Sequence, residues 1–262
     1  MKKWLLIGSL ILANAAFAQR AEIGFHAGVS NYFGDLAPSV KFNETHPAGG
    51  VFARYNLNHT WAMRAEINRY TVSGNDANFD FNKVRNLSFQ SNITEFAYVF
   101  EFNYLKYGPH VLHEKFTSYV YLGLAGFSFD PQAYLDGKWY ALTDYKTENV
   151  AYKKLSMAVP FGIGLKYMAS KRFAIEAQLG FRKTFTDYLD DVSTVYPDIN
   201  SRFSDGGLIT AKLTDRSIEN YGTPQFKDGY KRGDPTHKDW YASFTLGCSF
   251  RLNTKIKCAR FF

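Results

Sequence analysis

The sequence has little cysteine and no long apolar run. Cys248 and Cys258 are its only cysteines in 262 residues, so no disulfide framework builds the fold. Nowhere do about 20 apolar residues follow one another, which excludes a transmembrane helix. The mean hydropathy of −0.28 would suit a soluble protein. It also suits a transmembrane barrel, because only alternate residues of such a barrel face lipid.

The first residues predict a secretory signal peptide over 1–18. Lys2 and Lys3 give a basic start, an apolar run covers 4–13, and Ala16 and Ala18 form a small-x-small cleavage site. No cysteine follows this site, which argues against a lipoprotein. The remaining chain of roughly 244 residues suits one all-β domain. We expect this domain over 19–252 and a C-terminal tail over 253–262.

The chain is basic and rich in aromatic residues. It has 31 Lys and Arg against 24 Asp and Glu, a net charge of +7 that becomes +5 when Lys2 and Lys3 leave with the signal peptide (29 against 24). An exported chain does not meet nucleic acid, so outer-membrane lipids or an acidic partner are the expected counterparts. Aromatic residues make up 18% of the chain, and membrane barrels use them as lipid-facing bulk and at both interfaces.

Strict alternation of apolar and polar residues is the dominant pattern and predicts β-strands. Strands of soluble sandwiches are usually much shorter than these segments. In the segment over 117–129 both faces are apolar, so its outward face is not assigned. The eight predicted strands cover 22–32, 49–57, 61–72, 92–105, 117–129, 155–167, 173–185 and 240–252.

The connections also alternate in length. Those over 58–60 and 170–172 are tight and that over 106–116 is of medium length, whereas 35–47, 73–91, 130–154 and 188–239 are long and polar. Short turns at one end and long loops at the other are typical of outer-membrane barrels. We therefore predict an all-β, eight-stranded antiparallel barrel in the cell outer membrane, with both termini in the periplasm.

The inward face of the predicted strands carries five acids and five bases. An eight-stranded barrel has room inside only for side chains, and an unpaired charge there is costly, so these residues should pair. Paired carboxylates can also indicate acid–base catalysis, but the equal number of bases favours a structural network and a plugged barrel. The ten residues are Glu22, Arg54, Arg64, Glu66, Glu95, Glu101, Lys166, Glu176, Arg182 and Arg251.

Motifs for catalysis or metal binding are weak. None of the six histidines stands at a motif spacing with a serine and an acid, as a lipid-modifying barrel enzyme would require. His26 faces inward, where a hydrogen-bonded lumen histidine is expected, and His110 with His113 gives too few metal ligands. The acidic cluster over 187–191 could bind a divalent cation, but a solvated loop base is the favoured interpretation. We expect no enzyme activity, cofactor or metal.

The last strand and the ten residues after it form the most specific local feature. Thr245-x-Gly247-x-x-Phe250-x-Leu252 has the form of a barrel-assembly signal, which normally ends such chains, yet here the chain continues to Phe262. In an oxidising periplasm Cys258 could form an intermolecular disulfide, or it could be a free thiol in a frayed tail. Both alternatives stay open. The candidate partner-binding residues of the tail are Lys255, Lys257, Cys258, Arg260, Phe261 and Phe262.

Three segments carry a family resemblance: EIGFHAGVSNYFGDL over 22–36, RNLSF over 85–89 and TDYLDDVS over 186–193. They resemble the PorG outer-membrane barrels of Bacteroidota. The resemblance implies a non-catalytic part in type IX protein secretion and gliding motility. It implies as partners a periplasmic ring lipoprotein of the PorK/GldK type and its PorN/GldN partner, which the barrel would anchor to the outer membrane through the tail. The alternatives are a stand-alone structural or adhesive barrel and, less favoured, a lipid A-modifying enzyme.

Overall fold

The computed structural model describes residues 21–107, 115–198, 203 and 207–252, without the side chain of Phe81. The predicted signal peptide over 1–18 and the predicted tail over 253–262 lie outside the described residues. The same holds for His110 and His113 and for every candidate partner-binding residue of the tail. Those residues are Lys255, Lys257, Cys258, Arg260, Phe261 and Phe262.

Long alternating strands form one closed antiparallel barrel. The strands are β1 (Ala21–Phe33), β2 (His46–Asn56), β3 (Trp61–Asn75), β4 (Ser88–Asn103), β5 (Phe116–Leu135), β6 (Lys138–Ala141), β7 (Leu155–Met168), β8 (Phe173–Thr184) and β9 (Trp240–Arg251). The sheet order is β4-β3-β2-β1-β9-β8-β7-β5-β6, and an additional β4–β5 pairing closes it. Since β6 pairs only with β5, the barrel proper has eight strands, and the predicted fold class is confirmed.

The register joins the first and last strands along their whole length. It runs from Glu22 opposite Arg251 to Phe33 opposite Trp240. The closing pair of β4 and β5 is slightly longer, from Gln90 opposite Gln132 to Asn103 opposite Tyr119. Closure gives each barrel strand two neighbours, so the edges that would invite pairing with other chains are removed.

The two ends of the barrel differ. The turn end is formed by the connections over 57–60 and 169–172, by residues 104–107 and 115, and by the start of β1 and the end of β9. The described residues of the other connections lie at the loop end. It includes three 3₁₀ turns (Phe42–Glu44, Asp76–Asn78 and Asp80–Asn82) and the helices α1 (Leu142–Tyr145), α2 (Gly207–Thr214) and α3 (Ser217–Tyr221). Within the described ranges, no helix is long and apolar enough to cross a membrane.

The expected loop over 130–154 is wrong in its first part, because β5 continues to Leu135 and returns as β6. Asp136 and Gly137 make the turn with φ angles of 47° and 85°, the left-handed pair that a tight hairpin requires. Pro131 lies between the last β5–β7 pair and the first β5–β6 pair, where β5 lacks a neighbour on that side and a proline is tolerated. Likewise, β3 extends past the predicted boundary to Asn75.

The face that sequence could not assign on β5 is settled by burial. Val120, Leu122 and Leu124 point outward and are exposed, whereas Tyr119 and Tyr121 point inward and are buried. The inward aromatic residues of β5 pack with those of other strands, as in the edge-to-face contact of Phe127 with Tyr241 at a centroid distance of 5.9 Å. Aromatic packing therefore fills the half of the lumen nearer the loop end.

Candidate functional site

The outward face of the barrel is a belt of exposed apolar side chains. Phe25 on β1, Leu122 on β5 and Ile163 on β7 expose 60%, 59% and 58% of their surface, and the same pattern continues on the other strands. A soluble protein rarely exposes so large a continuous apolar surface. In a closed barrel with alternating faces, such a belt is the lipid-facing surface of an outer-membrane protein. The chain therefore spans the outer membrane, as the alternation predicts.

The inward face holds all ten charged residues expected there, and all ten are buried. Arg54 on β2 is the centre of the group nearer the turn end. Its Nη1 lies 3.0 Å from Oε2 of Glu22 and its Nη2 lies 2.5 Å from Oε2 of Glu176. Its Nε is 3.0 Å from Glu101 in an ion contact without hydrogen-bond geometry. These acids stand on β1, β8 and β4, so the contacts reach across the lumen.

The remaining cations of this group share the same acids. Arg64 places Nε 2.5 Å from Oε1 of Glu66 and Nη1 2.9 Å from Oε1 of Glu101. Lys166 also donates to Glu101, so that carboxylate faces three cations. Arg251 donates through Nε to Glu22 at 3.1 Å.

A second group lies nearer the loop end. Arg182 donates from Nη1 to Ser243 at 2.6 Å and stands 3.5 Å from Glu95. The amide of Asn68 donates to Glu66 and to Glu95, each at 2.9 Å, and so joins the two groups. Its oxygen lies 3.0 Å from Nε2 of His26, so this inward histidine has a hydrogen-bond partner in the lumen, as sequence analysis expects.

This network fills the lumen rather than opening it. Arg54 on β2 and Arg64 on β3 each reach β8, where they contact Glu176 and Gln178 at 2.5 and 2.7 Å. Contacts between opposite walls require a narrow, occupied interior. A buried ion network contributes more to a unique arrangement than to net stability, because the desolvation of its charges offsets their attraction.

A folded cap closes the loop end, and the acidic cluster over 187–191 is part of it. The favoured interpretation of these acids as a solvated loop base is wrong, since Asp187, Asp190 and Asp191 are all buried. Asp191 accepts hydrogen bonds from Thr147 and Tyr152, both at 2.5 Å. These partners lie in the preceding loop, 39 or more positions away, so the local sequence could not reveal them. Burial raises the pKa of Asp191 to about 6.

Two cap carboxyls share one tyrosine hydroxyl. The hydroxyl of Tyr32 lies 2.7 Å from Oδ2 of Asp190 and 2.6 Å from Oδ1 of Asp239. A phenol donates one proton, so the second contact needs a proton on a carboxyl. Burial raises the pKa of both acids well above their usual range, and the charge of Asp239 adds to this at Asp190. Gly34 is required beside them, because a Cβ there would lie 1.9 Å from the Tyr32 hydroxyl.

Two buried arginines tie the cap loops together. Arg232 donates to Glu148 at 2.9 Å and to the carbonyl of Asp191 at 2.6 Å. Arg85 donates to both oxygens of Asp76, at 2.6 and 2.7 Å, and to the carbonyl of Arg232 at 2.5 Å. The segments over 22–36, 85–89 and 186–193 all contribute to this cap, so the motifs behind the family resemblance serve the closure of the loop end.

The carboxylates of the cap and the lumen are engaged with donors of this chain. Over the ranges that the structure describes, no group of three or more His, Cys, Asp or Glu could hold a metal ion. The acids over 187–191, which sequence analysis weighed as cation ligands, hold loops together instead.

Comparison with known proteins shows one family. The family model described as "Domain of unknown function (DUF6089)" matches residues 2–206. Among curated proteins, none matches the chain by sequence.

Several solved barrels are similar in structure. OprG from Pseudomonas aeruginosa is 8% identical with a TM-score of 0.43, covering 89% of this chain and 97% of that one. The N-terminal β-barrel domain of OprF from the same organism is 13% identical with a TM-score of 0.38, covering 88% and 98%. Ail from Yersinia pestis is 11% identical with a TM-score of 0.40, covering 88% and 96%.

Proposed function

The chain belongs to the DUF6089 family, a domain of unknown function, and we propose that it is a non-catalytic, non-conducting anchor in the outer membrane. The observation that carries this proposal is the closed interior. Arg54 and Arg64 contact the opposite wall, and the cap covers the loop end. The inward acids that could serve acid–base chemistry are engaged with bases, so the ends of the barrel are left for recognition.

We further propose that the anchored partner belongs to the type IX secretion and gliding machinery. This finer role rests on the resemblance of the segments over 22–36, 85–89 and 186–193 to PorG barrels of Bacteroidota. The partners would be the periplasmic ring lipoprotein of the PorK/GldK type and its PorN/GldN partner. The turn end would then face the periplasm, with both termini on that side.

The tail is the proposed contact, through Lys255, Lys257, Cys258 and the residues after them. Cys248 supports this assignment for Cys258 because it makes an unsuitable disulfide partner. It lies within the apolar belt, opposite Phe25 on β1 and Ile175 on β8. A bond between the two cysteines would pull a basic tail into lipid, so an intermolecular partner is preferred for Cys258.

The test is a detergent pull-down of the full chain, with and without reductant, followed by detection of the ring lipoprotein. Wild type should retain the lipoprotein, whereas Cys258→Ser and deletion of residues 254–262 should lose it. Cys248→Ser is the matched control and should behave as wild type. If both tail variants retain the lipoprotein as wild type does, the tail is not the contact. If wild type fails to retain it, the secretion role is wrong.

A stand-alone adhesive barrel is the second candidate, and the folded cap favours it. Its outer surface exposes apolar side chains such as Phe42 and Leu208, which could meet a partner outside the cell. The double variant Phe42→Ser and Leu208→Ser should then abolish adhesion of the cells while secretion stays normal. Loss of secretion together with normal adhesion would exclude this candidate.

A further inference from the structure

The exposed charges at the turn end are all basic among the described residues. Lys106 and Lys115 flank the turn between β4 and β5, and Lys171 and Arg172 form the turn between β7 and β8; all four are exposed. The acids nearby, such as Glu22 and Glu101, are buried and already paired inside the lumen. Exposed acids lie at the opposite end, as Asp80 and Asp136 do. We name these four basic residues the basic arc.

The basic arc is continuous along one side of the rim. The sheet order places β5 beside β7 and β8 beside β9. The amide of Met168 donates to the carbonyl of Lys115 at 2.6 Å, and that of Arg251 donates to the carbonyl of Arg172 at 2.8 Å. These bonds fix the two basic turns against each other and against the end of β9.

The other side of the rim is uncharged. The turn between β2 and β3 contains Asn58, His59 and Thr60, with no Lys, Arg, Asp or Glu over 55–61. The amide of Tyr107 donates to the carbonyl of His59 at 3.1 Å, so this turn lies directly beside the first basic turn. The charge therefore changes abruptly along the rim.

The side chains of the arc are available for a partner. None of the four makes an ion pair with another residue of the described ranges. In sequence, the tail after β9 adds Lys255, Lys257 and Arg260 and no acid. The segment over 108–114 lies outside the described residues and holds one acid in sequence, Glu114. The four bases of the arc outnumber this acid, so positive charge predominates on one side of the turn end.

We infer that the basic arc is a docking face for an acidic surface of the periplasmic partner, which rests on the proposed anchoring function. Anionic lipid headgroups are the competing occupant. Lipid surrounds a barrel on every side, so headgroup binding would place basic residues around the whole rim. A basic arc on one side of the rim is instead the pattern expected for a protein partner that contacts only that side of the barrel. Charge complementarity of this kind raises the association rate and makes binding sensitive to salt.

The test measures binding of the purified ring lipoprotein and its PorN/GldN-type partner to the full chain in phosphatidylcholine nanodiscs. The arc variant is Lys106→Glu, Lys115→Glu, Lys171→Glu and Arg172→Glu. The control variant changes four exposed lysines of the loop end by the same charge: Lys138→Glu, Lys146→Glu, Lys153→Glu and Lys227→Glu.

The arc variant should bind at least about tenfold more weakly, mainly through a slower association rate, and the control variant should bind as wild type. Raising the salt concentration should weaken wild-type binding and leave the arc variant little changed. Heat-modifiable gel migration shows that each variant still forms the folded barrel.

Three outcomes would overturn the inference. If the arc variant binds as tightly as wild type, the basic arc is not the docking face, although the anchoring function can still hold. An effect of the arc variant that appears only in nanodiscs containing phosphatidylglycerol assigns the arc to lipid headgroups. Absence of wild-type binding overturns the anchoring function itself, and the docking face with it.

Discussion

Replacing Arg54 with glutamine tests the lumen network most directly. The substitution removes the charge that faces Glu22, Glu101 and Glu176 at 3.0, 3.0 and 2.5 Å. Removing one partner of a buried ion pair typically costs about 3–5 kcal/mol, because the other charge is left buried without compensation. We expect the free energy of unfolding to fall by about this amount.

Loss of the Arg54 charge should not affect the three carboxylates equally. Glu22 keeps Arg251 at 2.5 Å, and Glu101 keeps Arg64 and Lys166. Among the described residues, the only cation then within 4.0 Å of the Glu176 carboxylate is Arg64, at 4.0 Å. The carboxylate of Glu176 is therefore the one left without a close cation. Adding Glu176→Gln to Arg54→Gln should recover about 0.5–3 kcal/mol, the range found for contacting pairs, whereas adding Glu22→Gln should recover less.

Urea unfolding of the protein in lipid vesicles, followed by tryptophan fluorescence, gives these free energies. Arg172→Gln is the matched control, because that arginine is exposed at the turn end, and it should change stability by less than about 0.5 kcal/mol. A cost below about 1 kcal/mol for Arg54→Gln, or equal recovery by Glu176→Gln and Glu22→Gln, would refute the network described for the lumen.

Three further predictions concern the loop end. Because burial raises the pKa of Asp191 to about 6, its contribution to cap stability should be complete below the ordinary aspartate pKa and be lost as the pH rises through 6. The free energy of amide protection in the cap should therefore fall by up to about 3 kcal/mol between about pH 3 and 7. Asp191→Asn should flatten this response, and an unchanged slope would contradict it. Gly34→Ala would place a Cβ 1.9 Å from the Tyr32 hydroxyl, so faster proteolysis of the cap with an intact barrel is expected, at about 1–3 kcal/mol; wild-type protease resistance would contradict the close approach. Gly137 has a φ of 85°, so Gly137→Ala should weaken the β5–β6 hairpin by about 1 kcal/mol. Amide hydrogens of the hairpin should then exchange faster than in wild type, whereas exchange in the eight barrel strands should not change.

The sequence predicted the barrel well because a single pattern, the alternation of apolar and polar residues, runs through its strands. A repeat of two residues assigns each position of a strand to one face, so Arg54 and Glu176 were both expected inside. Their mutual contact could not be predicted, since it depends on which strands oppose each other across the lumen. The same limit explains the error at Asp191, whose partner Tyr152 is 39 positions away in the chain. The acidic residues over 187–191 predicted a solvent-exposed segment, and only the fold shows that other loops bury these residues.

The position of the family-like segments separates two roles in the molecule. The end of the segment over 22–36 meets the segments over 85–89 and 186–193 in the cap, where Tyr32, Arg85 and Asp190 make contacts that leave little freedom for substitution. The basic arc, in contrast, consists of exposed side chains that the fold does not need. A change that loosens the cap should therefore spare the proposed partner binding at the turn end, and a change in the arc should spare the cap. If Gly34→Ala lowered binding of the ring lipoprotein as strongly as the arc variant does, the two ends would be linked through the lumen network, and the barrel would act as a transmitter rather than as an anchor.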